Sequence, residues 1–209
     1  MRIVETDTMD TRVNDRLTAD EFLEWIAGPS APEGRWELIA GVPMRMMVNV
    51  RRRHSTIVGN LLAALHAQLR GGQCRPHAEA FALRVSNDQV RFPDLLIDCA
   101  PGHGSDLAAT EPRAVIEVLS DGTRTFDTSR KLEEYQGVPA IQHIVFIEAG
   151  LVDVNHFARD SDGWKRVDLN QFADVLDLSA VGAGVTLKDI YEDSGVPAPG
   201  PRLRVLRDE

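Results

Sequence analysis

Four acidic residues sit where a folded chain normally keeps apolar ones: Glu37 in "WELI", Asp94 and Asp98 in "FPDLLID", and Glu117 in "AVIEVL". A carboxylate taken out of water without a partner costs several kcal/mol, so such a group is paired, protonated or bound to a cation. Carboxylates of neighbouring strands, joined by a third from a nearby element, would offer hard oxygen ligands to a divalent cation such as magnesium. A metal so held lowers the pKa of a bound water and stabilises a pentacovalent phosphate. Taken one at a time, each acid reads more readily as an edge-strand residue facing solvent; it is the cluster that points to a site. Asp98, which closes its strand, fits that reading best.

These acids need elements to carry them. Ala114, Val115, Ile116, Val118 and Leu119 form an apolar run typical of a strand covered on both faces, with Glu117 in its middle. "VRFPDLLIDCA" reads as a strand, and Pro93, which cannot donate to a ladder, marks a bulge or strand entry beside Asp94. Asp127 and Lys131 follow one turn apart in a predicted helix 125–136 that ends at Gly137, with Phe126, Leu132 and Tyr135 as its apolar residues. By themselves the two make an exposed ion pair of a few tenths of a kcal/mol. Lys131 is one of only 3 lysines beside 20 arginines.

Around these segments, "LTADEFLEWIA" predicts a helix capped by Thr18 and ended by Gly28-Pro29, and "RWELIAGVPMRMMV" two strands about Gly41. "HSTIVGNLLAALHAQLRGG" is the strongest helix, with Ile57, Val58, Leu61, Leu62, Leu65 and Leu69 on one face. "AEAFALRV" predicts a strand. After helix 125–136 come "QHIVFIEA", a hairpin from "LVDVNHFAR" and "GWKRVDL", and a short helix "TLKDIYED" capped by Thr186. The expected organisation is a flexible arm over 1–16, one domain over 17–191 and a Pro/Gly-rich tail over 192–209. The mixed order of elements fits an α/β layer with a mixed sheet better than a regularly alternating fold.

The net charge of −9 argues against a nonspecific polyanion binder. Residues 41–91, however, hold eight arginines against Glu79 and Asp88. That segment would suit local phosphate contacts or simply a solvated surface. Arg51, Arg52 and Arg53 precede the long helix and are the candidates for backbone contact. His54 starts that helix on its apolar side, so it either faces a cleft or serves as a structural histidine. Cys74 and Cys99 lack a C-x-x-C spacing and suggest neither a disulfide framework nor a zinc site. With no apolar run of membrane-spanning length and no hydrophobic leader, a cytoplasmic protein is expected.

"P-D" at 93–94 followed by "E-x-L" at 117–119 resembles the PD-(D/E)XK nuclease signature. The wider pattern "WELIAG", "H-x-x-I-x-x-x-L", "PDLLID", "VIEVLSDGTRTFDTSRKLEEY" and "IQHIVFIE", over roughly residues 17–160, is similar to the Uma-type family of "putative restriction endonucleases" in that superfamily. The resemblance implies a restriction-endonuclease-like mixed β-sheet flanked by helices, here with a C-terminal β-hairpin extension. It implies Mg2+ or Mn2+ as cofactor, DNA as substrate and a catalytic set of Glu37, Asp94, Glu117 and Lys131, with the metal on Asp94 and Glu117. Leu119 stands where the parent motif has lysine; in this family a lysine of the following helix takes its place, here Lys131. Asp127 and His54 would be accessory. Double-strand cleavage needs two sites, so a homodimer is expected. A nuclease-fold module that has lost catalysis and only binds or assembles is the competing expectation.

Overall fold

The computed structural model describes residues 16–46, 51–78, 81–119 and 126–200, with the side chains of Phe126 and Asp127 left aside. The chain opens with α1 (Ala19–Ala27), closed at its start by a capping box in which the Thr18 hydroxyl accepts from Glu21 N–H and the Glu21 carboxylate accepts from Thr18 N–H. β1 (Arg35–Ile39) and β2 (Val42–Met46) form a hairpin whose two linking residues, Ala40 and Gly41, both take positive φ, as a tight I′ turn demands. Next come α2 (Arg52–Gln68), β3 (Arg75–Ala78), β4 (Leu83–Ser86), β5 (Gln89–Arg91), β6 (Leu95–Asp98), β7 (Pro112–Leu119), α3 (Phe126–Gln136), β8 (His143–Glu148), β9 (Val154–Asp160), β10 (Gly163–Leu169), β11 (Val175–Leu178), β12 (Ala183–Thr186) and α4 (Leu187–Ile190).

The central layer is a six-stranded sheet of order β10-β9-β8-β7-β6-β3. All its pairs are antiparallel except β7 with β8, which run parallel and are joined through α3. Strands β2-β1-β5-β4 make a second sheet that buries Leu38 and Val90 against Phe22 and Leu23 of α1. The alternation along β7 sets the two faces of the central sheet. Ala114, Ile116 and Val118 pack with Ile57, Leu61 and Leu65 of α2, with α4 and with the small β11–β12 ribbon. Val115 packs on the opposite side with Leu96, Phe146 and Tyr135 of α3. The mixed α/β layer with flanking helices and the β9–β10 hairpin is the fold expected from the sequence.

Several local expectations are corrected. "VRFPDLLIDCA" is two strands in two different sheets: β5 ends at Arg91 and β6 starts at Leu95. Pro93, lacking an N–H, sits at the break where the chain crosses between sheets. The predicted strand over "AEAFALRV" is likewise divided between β3, ending at Ala78, and β4, starting at Leu83. The β11–β12 ribbon has no counterpart in the sequence reading. Asp98 does not face solvent; it is 6% exposed and accepts from the Glu111 N–H at 2.8 Å, a structural tie.

Cys74 and Cys99 are joined in a disulfide across a sequence separation of 25. The β3–β6 ladder pairs Arg75 with Asp98, so the two cysteines occupy the next opposed position, which no local spacing reveals. Disulfides persist mainly in oxidising surroundings, so the cysteines give the expected cytoplasmic location no support. Among the described residues no helix is long and apolar enough to cross a membrane. The expected arm falls almost wholly in residues 1–15, and the end of the expected tail in 201–209, outside the described residues.

Candidate active site

Because Val115 faces α3, Glu117, two residues on, faces α3 as well. It is 5% exposed. The Tyr135 hydroxyl donates to its Oε1 at 2.5 Å, and the Lys131 Nζ lies 3.0 Å from the same oxygen. Both come from α3, where a spacing of four residues stacks them on one side of the helix. Burial pushes the Glu117 carboxyl above the usual glutamate range; the Lys131 ammonium opposes this, the Asp94 charge adds to it and the Tyr135 hydrogen bond opposes it. Tyr135 is fully buried, and burial beside the Glu117 charge raises its phenol well above the ordinary value, so it acts as a donor.

Asp94 occupies the bend just before β6, after the buried Pro93. Its Oδ2 accepts from the Val118 N–H at 2.8 Å and lies 3.2 Å from Nε2 of His54, a buried residue in the first turn of α2. The β6–β7 register pairs Leu95 with Ile116, so Asp94 and Glu117 stand at the next opposed position. Each carboxylate is thus anchored through one oxygen, Oδ2 of Asp94 and Oε1 of Glu117. Oδ1 and Oε2 carry none of these bonds.

This donor set fits a magnesium-like ion, which is held by one or two carboxylates and completed by water and phosphate oxygens. Among the described residues no three His, Cys, Asp or Glu side chains form a preassembled metal cluster.

Glu37 lies elsewhere in the network. It opposes Arg91 across the β1–β5 pair, where Leu38 faces Val90. The Arg91 Nη1 donates to Glu37 Oε2 at 2.6 Å, and the Phe92 N–H reaches Oε1 at 3.4 Å. The same guanidinium donates from Nε and Nη2 to both oxygens of Glu134 on α3, at 2.8 and 2.9 Å. Arg130 adds a bond at 2.8 Å to Glu134 Oε1. Burial alone would lower the Arg91 pKa, but Glu134 and Glu37 hold it above the ordinary arginine value. Burial likewise favours protonation of Glu134, but the hydrogen bonds and charge of Arg91, with the hydrogen bonds of Gln89 and Arg130, together outweigh it and keep that carboxyl below the usual range. Glu37 therefore neutralises an arginine that ties the second sheet to α3, close enough to Tyr135 for its charge to act on the phenol.

Arg51, Arg52 and Arg53 are exposed at the start of α2, immediately before His54. No acid occupies that first turn. Cations at the positive end of a helix oppose its dipole, so their placement lowers helix stability. Asp127 belongs to the first turn of α3, and its side chain lies outside the described residues.

Three residues of the site escape a sequence reading. Tyr135 passes for an apolar anchor, and Arg91 and Glu134 pass for surface charges. The available signals are the Lys131–Tyr135 spacing of one helical turn and an arginine three residues ahead of Asp94 in "VRFPD".

The comparisons with known proteins agree with this architecture. A solved structure of a "putative nuclease belonging to DUF820" from Anabaena variabilis superposes with a TM-score of 0.63 over 84% of this chain and 97% of that one, at 18% identity, a likeness of fold. An uncharacterized protein of Synechocystis sp. is 25% identical over 178 residues, covering 84% of this chain and 92% of its own length. The Uma2 pattern, described as "Putative restriction endonuclease", matches residues 19–188, and the chain belongs to that family.

Proposed function

We propose that the protein is a metal-dependent endonuclease that hydrolyses phosphodiester bonds in DNA. The observation that carries this reading is the Lys131 ammonium 3.0 Å from Glu117 Oε1, with Glu117 next to Asp94: two carboxylates and a cation assembled from the bend before β6, from β7 and from α3. Asp94 Oδ1 and Glu117 Oε2 would hold magnesium or manganese, which supplies charge stabilisation at the phosphate and lowers the pKa of a bound water. Lys131 stands in for the lysine that Leu119 replaces, offsetting carboxylate repulsion and positioning the attacking water. Tyr135 fixes the Glu117 rotamer, and His54 with the Val118 N–H fixes Asp94. Arg51, Arg52 and Arg53 meet the DNA backbone, and a homodimer brings two sites to the two strands.

The deciding experiment incubates the protein with single-stranded, duplex and supercoiled DNA, with magnesium or manganese and with a chelator, beside Glu117→Ala. Metal-dependent cleavage that Glu117→Ala lacks supports the reading. Metal-independent cleavage, or equal activity of the variant, overturns it. The second reading, a nuclease-fold binding module without catalysis, is favoured by Leu119 at the motif position. It requires DNA binding without cleavage under every metal condition.

A further inference from the structure

Two clefts of the described surface share a wall. One, of about 720 Å³, is lined by residues that include Arg75, His77, Phe81, Asp98 and Asp106. The other, of about 860 Å³, lies between α2 and the edge strand β3, and its lining includes Ala63, Arg70, His77 and Phe81. His77 and Phe81 therefore border both clefts. Their ring centroids are 4.5 Å apart with planes at 36°, and both residues are only half-buried. From its inner side Phe81 packs on the cluster of Leu96 and Val115.

The position of this ring pair relates it to the carboxylates. His77 pairs with Leu96, and Leu96 with Val115, so all three face the same side of the sheet as Glu117. Asp98, in the first cleft, lies four residues along from Asp94, about 13 Å at the rise of a strand. A nucleic-acid strand crossing the Asp94–Glu117 site reaches that distance within a few nucleotides.

The chemistry of the cleft suits a base rather than a phosphate. The Arg75 Nη1 is turned to the carbonyls of Leu69, Gly72 and Cys74. Asp98 and Asp106 each accept a backbone N–H, from Glu111 and from His103, and their negative charge repels phosphate. Burial lowers the His77 pKa against the pull of Asp98, which favours a neutral ring. Phosphate-attracting charge lies on Arg70, in the lining of the second cleft, and on the exposed arginines at the other end of α2. Aromatic rings and cations along adjoining clefts are the combination that binds single strands.

We propose that the His77–Phe81 pair is a stacking platform for an unpaired nucleobase of the strand bound at the Asp94–Glu117 site. The inference rests on the nuclease reading and adds that the substrate carries an unstacked base a few nucleotides from the scissile bond.

The test measures binding of a fluorescein-labelled oligothymidylate and of a matched duplex to the metal-free protein across a salt series. Phe81→Ala and Phe81→Leu, the latter keeping apolar packing, should each weaken single-strand binding by about 5- to 100-fold. The salt slope should stay unchanged, since no phosphate contact is lost. Phe81→Trp should restore affinity and show quenched fluorescence on binding. Wild-type affinity in Phe81→Leu overturns the proposal while leaving the nuclease reading intact, provided the wild type binds DNA. So does a change of oligomeric state in Phe81→Leu without loss of DNA affinity, which would make the pair an interface between copies. Absence of any oligonucleotide binding by the wild type overturns both.

Discussion

The hydroxyl of Tyr135 donates a 2.5 Å hydrogen bond to Oε1 of Glu117, from one helical turn beyond the lysine that contacts the same oxygen. One oxygen thus takes both contacts from α3, and Oε2 carries neither. Asp94 repeats the device with its Oδ2. Helix α3 holds the Glu117 carboxylate, the Val118 N–H and His54 hold that of Asp94, and the remaining oxygens are what a cation would use.

Lys131 and Glu117 should separate catalysis from metal binding. Lys131→Ala is expected to lower the single-turnover cleavage rate by about 10²-fold or more while keeping the fold and most manganese affinity. Glu117→Ala should lose both. Lys131→Arg should also be poor, because a planar guanidinium does not replace a compact ammonium. Tyr135→Phe, which removes only the orienting bond, should cost about 10- to 100-fold in metal affinity or activity. Cleavage assays beside manganese calorimetry check all four, and wild-type cleavage by Lys131→Ala would return that residue to a structural role.

The arginines before His54 should contribute affinity without sequence choice. Replacing Arg51, Arg52 and Arg53 by glutamine is expected to weaken DNA binding for every sequence. It should also reduce the slope of log affinity against log salt by about 1 to 3, as fewer counterions are released. Anisotropy titrations across a salt series measure this; an unchanged slope would make them a solvated helix start.

Arg91 should matter to stability more than any surface charge. It is 1% exposed and holds Glu37 and Glu134 together. Arg91→Met takes the buried ionic partner from Glu37 and leaves Glu134 with Arg130, and should cost on the order of 3–5 kcal/mol in urea unfolding. Adding Glu37→Gln and Glu134→Gln should recover part of the loss. The Glu134 carboxyl titrates below its ordinary value of 4.5, so its contribution is present above that value and lost as pH falls through the lowered one. The acid loss of stability should therefore be shallower in the triple variant.

His143 should make the fold sensitive to mild acid. Its Nε2 accepts from the Ala180 N–H at 3.1 Å, which places its proton on Nδ1, facing His156 Nε2 at 3.0 Å. Burial, with His156 beside it and Asp177 opposing, lowers its pKa from 6.5 to about 4. An unfolded chain binds this proton first, so the stability present above 6.5 is lost as pH falls from there toward 4. Between about pH 7 and pH 5 the loss should be about 2 kcal/mol. His143→Gln, which keeps an acceptor for Ala180, should flatten that difference in urea melts.

Much of the scaffold was legible because its signals are local. Thr18 and Glu21 make the capping box that starts α1, the apolar face of α2 is written at helical spacing, and Glu117 stands out as the one charge in the apolar run 114–119. The Lys131–Tyr135 spacing placed both residues on one side of a helix before any partner was known. Their joint contact with Glu117 required the parallel β7–β8 pair that lays α3 over that face of the sheet.

What the sequence by itself determined is therefore the inventory: which strand carries the buried acid, which helix carries the cation and where proline must interrupt a ladder. Tertiary structure decided the partners. Arg91 meets Glu37 across 54 residues and Glu134 across 43, and Cys74 meets Cys99 across 25. Such contacts depend on strand register and on how two sheets dock. Period-2 and period-3.6 patterns fix which way a side chain points, but they carry no information on what stands opposite it.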